Sequence, residues 1–134
     1  AYRRRRAVVL AAQARQVANE RDVQAAIGLA QASFRIAPDL SDNAARLVGL
    51  LQEDGQRRKA RSVLDQALKS FPHPDLVALD RDLAGDEKPA ARVKRLDKLI
   101  GADMIGDAAR IESLLARVDA AIAAVKAALA VVEA

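Results

Sequence analysis

The chain has 134 residues, a size at which one domain buries a core without metals or disulfides. Hydrophobic residues make up 51% of it but aromatics only 2%, so the interior must be built from small and aliphatic side chains, which favours packed helices over sheets. Charged residues at 30%, spread between apolar positions, exclude a disordered polymer and predict a soluble protein, and the lack of cysteine excludes disulfides and thiol chemistry. Of the 22 basic residues, four are Arg3, Arg4, Arg5 and Arg6, and the other 18 match the 18 acidic ones, so the net charge of +4 belongs to the amino-terminal tip.

Residues 1–6 are therefore read as a basic tip. Positive charge opposes the dipole at the start of a helix, which predicts a frayed first turn or the continuation of a preceding juxtamembrane segment. Four guanidinium groups could meet anionic lipid, and a membrane contact through an anchor preceding this chain is one reading. Nucleic acid is disfavoured, because no aromatic stacking platform accompanies the run. The start without Met suggests a piece of a longer protein. Uncharged runs such as Ala7 to Ala14 and Ala127 to Val132 fall well short of the roughly 18 residues that a membrane-spanning helix needs.

From residue 7 onward the strongest signal is a period. Pro38 and Pro72 stand 34 residues apart, and at the same interval Val17 returns as Leu51, Ala26 as Ala60, Ala30 as Leu64, Ser33 as Ala67 and Phe34 as Leu68. Each unit reads as two amphipathic helices joined by a polar turn, Asn19 to Asp22 in the first and Glu53 to Gln56 in the second, with Gly55 in the latter. Small residues such as Ala26 and Ala60 suit places where two helix backbones approach. Ser41, Asp42 and Asp75 are candidate helix caps after the prolines.

This pattern resembles the tetratricopeptide repeat, in which small residues and a closing proline recur at set places. Those places hold Ala14, Ala26, Ser33 and Pro38, then Val48, Ala60, Ala67 and Pro72. Val48 departs from the small-residue rule, and the family's aromatic positions are filled by Leu10, Val17, Ala44 and Leu51. The resemblance implies an all-α, antiparallel helix-pair solenoid, with repeats at 7–38, 41–72 and 75–101 inside a region of 7–106.

The phrases Ile36-Ala37-Pro38-Asp39-Leu40, Arg58 to Leu64, Pro72-His73-Pro74-Asp75-Leu76 and Arg92 to Leu96 are similar in order and spacing to the carboxy-terminal repeat region of bacterial HemY proteins. The likeness spans roughly residues 7–100. In that family the repeats follow hydrophobic membrane segments and the genes are associated with late haem biosynthesis, so the resemblance implies the soluble portion of a bacterial inner-membrane protein. The flavin-dependent oxidase that shares the name has a G-x-G-x-x-G fingerprint, which this chain lacks.

Beyond Pro72 the period loosens. A short helix is predicted from Asp75 to Ala84, a turn from Gly85 to Lys88, a helix opened by Pro89 and running to Ile100, and a break from Gly101 to Asp107. In residues 107–134, Ile111, Leu115, Val118, Ile122, Val125, Leu129 and Val132 alternate steps of four and three, a heptad stripe that predicts one long helix. A break near Asp119 is the alternative. Ile111, Leu115, Val118 and Ile122 then either cap the last repeat or form a seam between two copies of the chain.

Reactive chemistry is sparse. His73 lies between two prolines without neighbouring ligands, Tyr2 and Met104 stand alone as conceivable haem ligands, and pairs such as Asp80 with Asp82 or Glu112 with Asp119 read as charges on solvated helix faces. No catalytic residue, metal or cofactor is expected, and the chain is read as a binder of a protein or peptide. In stacked helix pairs the first helix of each unit lines the concave side, which places Arg15, Asn19 and Gln52 as candidate groove residues beside the small side chains Ala11, Ala18, Ala45 and Gly49. The peptide-carboxylate clamp of some such repeats falls at Ala11 and Arg15 and is not matched.

Overall fold

The computed structural model describes the backbone of residues 1–100 and 107–133 and the side chains of residues 1–100 and 117–132. Among them are seven helices and no strand: α1 (Tyr2–Asn19), α2 (Val23–Ile36), α3 (Ser41–Glu53), α4 (Arg57–Ser70), α5 (Pro74–Ala84), α6 (Pro89–Ile100) and α7 (Asp107–Glu133). Consecutive helices from α1 to α5 pack on one another, α1 and α2 most extensively, while α3 also touches α5, α4 touches α6, and α7 rests on α5 and α6.

The period seen in the sequence has a counterpart in the backbone. At the end of α1, the Arg21 N–H donates to Ala18 O and the Asp22 N–H to Val17 O; at the end of α3, the Gly55 N–H donates to Gln52 O and the Gln56 N–H to Leu51 O. Both turns are Schellman closures, in which the residue after the cap adopts a left-handed conformation. Arg21 has φ of 64° and Gly55, 34 residues later, φ of 78°. Only one of the two sites carries the residue that tolerates this geometry without strain.

Helix exits repeat as well. Ala37 and Phe71, each followed by proline, leave the helical region at φ −139° and −155°, as steric conflict with the proline ring demands. Helix starts differ from the expected caps. Ser41 and Asp42 lie inside the first turn of α3, whose N-cap is Leu40 without a side-chain bond. Asp75 likewise sits inside the first turn of α5, because Pro74 occupies its first position and makes His73 the cap. Asp22 caps α2 by accepting from the Ala25 N–H at 3.2 Å.

The core runs through α2, α3, α4 and α5. Leu47, Leu51, Leu64, Leu68, Leu76, Val48 and Val77 are fully enclosed, and so are the small residues Ala14, Ala26, Ala30, Ala60 and Ala67. Ser33, at the small position of α2, is also enclosed and donates its hydroxyl to Ala7 O at 2.7 Å, tying α2 to α1. Ala67 at the equivalent place in α4 needs no such bond.

At the amino terminus the structure departs from the expected fraying, and at the carboxy terminus it follows the one-helix reading and not the break. Arg3 to Arg6 are not frayed: they form the first turns of α1, exposed, with Arg4 donating to both carboxylate oxygens of Asp39 at 3.0 and 2.9 Å. That pair offsets part of the dipole conflict. At the other end α7 is one unbroken helix through Asp119.

Candidate functional site

A cleft of about 200 Å³ opens between α1 and α3. From α1 come Val8, Ala11, Ala12 and Arg15, spaced so that they share one face; from α3 and the residue before it come Leu40, Asp42, Asn43 and Arg46. The small side chains of Ala11 and Ala12 leave the opening, with Arg15 on the α1 side and Asp42, Asn43 and Arg46 on the α3 side. Neither Arg15 nor Arg46 makes an ion pair among the described residues.

Asn43 is the least expected member. It is 2% exposed, its amide nitrogen donates to Ala30 O at 3.0 Å and so ties α3 to α2, and its carbonyl Oδ1 is buried without a hydrogen-bond partner among the described residues. A buried acceptor without a donor costs roughly 1–3 kcal/mol of desolvation, so such groups usually meet a donor in the working state of a protein. The cleft thus brings two cations, Arg15 and Arg46, together with the Asp42 carboxylate and the Asn43 amide within a few helical turns. A peptide segment carries the complementary set, main-chain N–H groups and carboxylates or carbonyls.

Of the predicted groove residues, Arg15 lines this cleft. Asn19, one turn further along α1 and exposed, does not, and neither does Gln52, which lies near the end of α3 about 9 Å of helix rise beyond Arg46. Ala11 is present as expected. Asn43 and Arg46 were not anticipated, since the 34-residue interval pairs them with Val9 and Ala12 and so conceals them. The available signal was Asn43 itself, a polar residue one turn before Leu47 on the apolar face of α3.

A second polar cluster joins α4, α5 and α6. Asp80 is completely buried, not on a solvated face as its spacing from Asp82 suggested; it falls one turn after Leu76 and Val77 on the inward side of α5, whereas Asp82 is exposed. Its Oδ1 accepts from Arg61 and from Arg95 at 2.9 Å, its Oδ2 from Arg92 at 3.1 Å and from Arg95 at 2.8 Å. Arg92 also donates to Val77 O at 2.8 Å, and Arg95 reaches Glu87 at 3.0 Å.

Burial is the largest single influence on the Asp80 carboxyl and opposes its ionisation, but the hydrogen bonds and charges of Arg95 and Arg61 together outweigh it and hold the group below the usual carboxylate range. The hydrogen bond to Asp80, aided by Glu87, holds Arg95 more firmly protonated in return. Every oxygen of Asp80 is engaged, so the cluster is a three-helix clasp with no room for a substrate.

The remaining predicted residues are dispersed. His73 caps α5, its Nδ1 accepting from the Asp75 N–H at 3.1 Å, and its ring lies 5.9 Å from that of Phe71. Because Nδ1 is the acceptor there and carries no proton, the 3.7 Å approach to Asp75 Oδ2 is not an ion pair in that state. On α7, Val118 and Ile122 are 51% and 48% exposed, whereas the side chains of Ile111 and Leu115, like Met104, lie outside the described residues. No helix among the described residues is long and apolar enough to cross a membrane. Comparison with protein-family models, with curated proteins and with solved structures gives no match.

Proposed function

We propose that this chain is a protein-interaction module built from tetratricopeptide-like helix pairs, which holds a peptide segment of a partner in the cleft between α1 and α3. The observation that carries the reading is a cleft that presents Arg15 and Arg46, neither ion-paired among the described residues, and whose lining includes Asn43 with a buried Oδ1 that has no hydrogen-bond partner among them. In this reading Asn43 accepts a main-chain N–H, the arginines hold an acidic side chain or a carboxylate, and the small side chains of Ala11 and Ala12 admit the backbone. The matching turns at Arg21 and Gly55, 34 residues apart, support the repeat assignment. The likeness to HemY repeat regions extends the proposal to a partner within a membrane-associated assembly linked to haem biosynthesis.

A pull-down from the source cells, identified by mass spectrometry and repeated with an Arg15→Ala, Arg46→Ala double variant, tests it. The captured partner's acidic segment is then titrated as a labelled peptide. Loss of two charge-assisted hydrogen bonds is expected to weaken binding by about two orders of magnitude, and Asn43→Ala by roughly tenfold. Unchanged affinity in the double variant would overturn the cleft assignment.

A further inference from the structure

The carboxy-terminal half of α7 presents an apolar surface that no described part of the fold covers. Val118, Ile122, Val125, Leu129 and Val132 are between 48% and 82% exposed, and Lys126 is the one charged residue from Ala120 to Val132. A helix that is apolar on nearly all sides is ordinarily buried. The rest of the protein does not bury it: every residue from Ala121 to Val132 is exposed.

The contacts of the described α7 side chains lie away from the stripe. Arg81 on α5 bonds to Asp119, and Arg117 and Ala120 face α6 across a cleft also lined by Pro89, Val93 and Lys94. At about 100° per residue, Arg117 and Asp119 flank the stripe on its two sides and Ala120 lies nearly opposite it. Docking on α5 and α6 therefore turns the heptad face from Val118 onward outward.

We infer that this face pairs with the same face of a second copy, the two α7 helices running antiparallel. The choice of occupant rests on charge. In heptad terms Val118, Val125 and Val132 take one core position and Ile122 and Leu129 the other, while Asp119 and Lys126 both fall on the same flank, and the opposite flank carries Ala121 and Ala128. In an antiparallel pair, Val118 stacks on Leu129 of the second copy and Ile122 on Val125. The flank residues between those two layers are Asp119 of one copy and Lys126 of the other. Two-fold symmetry repeats the arrangement, giving two reciprocal ion pairs in which Lys126 joins Arg81 at the Asp119 carboxylate. A parallel pair would set Lys126 against Ala121 and Asp119 against the position of Leu114, and gain neither ion pair. The alanine flank lets the helices approach closely.

The chain has no cysteine, so introduced thiols report the geometry directly. Sedimentation equilibrium of the full chain is expected to give a dimer, and an Ile122→Asp, Val125→Asp double variant a monomer with an unchanged circular dichroism spectrum. Lys126→Glu, which turns both pairs into repulsions, is expected to raise the dimer dissociation constant roughly tenfold. When Val118→Cys and Leu129→Cys chains are mixed and oxidised, the disulfide is expected between unlike chains only. A monomeric full chain overturns the inference, as do disulfides between like Val118→Cys chains, which indicate a parallel pair. A monomer that binds phosphatidylglycerol vesicles, and loses that binding in the aspartate variant, overturns it in favour of a membrane surface.

Discussion

Replacing Asp80 with Asn removes an anion on which Arg61, Arg92 and Arg95 converge, and leaves amide hydrogens facing guanidinium donors. Removing one partner of a buried pair costs about 3–5 kcal/mol. The three arginines do not suffer alike. Arg61 and Arg95 have side chains 29% and 30% exposed and retain Asp65 and Glu87, so they can turn toward water; Arg92, at 4%, cannot. The lower end of the range, about 3 kcal/mol, is therefore expected, a large share of the roughly 5–15 kcal/mol that holds a domain together. At this chain length it corresponds to a fall in Tm of about 10 °C.

Urea unfolding followed by circular dichroism checks the value, with a lower midpoint and an unchanged slope. Acid gives a second readout. Because the folded-state value of Asp80 is depressed, its contribution is complete above about pH 5 and is lost as pH falls below about 4 through the folded value, so the stability curves of wild type and Asp80→Asn converge at low pH. Replacing Asp80 and Arg92 together with Leu exchanges the fully buried pair for apolar packing and is expected to recover most of the loss. A cost below about 1 kcal/mol for Asp80→Asn at neutral pH, or curves that stay parallel into acid, would refute the clasp.

The turns and crossings give further tests. Arg21→Gly is expected to stabilise by about 0.5–1 kcal/mol by relieving its left-handed backbone, and Gly55→Ala to destabilise by about 1 kcal/mol although open space surrounds the added methyl, both measured by urea midpoint. Ala60→Leu forces three extra carbons into a site with no exposed surface, and a loss of about 1–3 kcal/mol or more is expected in thermal unfolding. Ser33→Ala deletes the hydroxyl bond to Ala7 O and is expected to cost about 1 kcal/mol, with faster hydrogen exchange in α1.

The sequence by itself determined the helices and their punctuation. Pro38, Pro72, Pro74 and Pro89 constrain the backbone locally, and the apolar spacing of α2 to α4 leaves one face to bury, so these boundaries follow from nearest neighbours. It likewise determined the small residues at the crossings, because Ala26 and Ala60 are restricted by the volume available between two helices. Tertiary structure alone decided the fate of polar groups. Whether Asp80 meets water or three guanidiniums depends on how α4 and α6 sit against α5, and Arg61 and Arg95 lie 19 and 15 residues away from it in the chain. Asn43 and Arg46 join Arg15 in a cleft only because α3 stands beside α1. The heptad stripe of α7 was legible as a pattern, but its outward orientation from Val118 onward was not, since Arg81 and the surface of α6 choose which side of that helix meets the body of the protein.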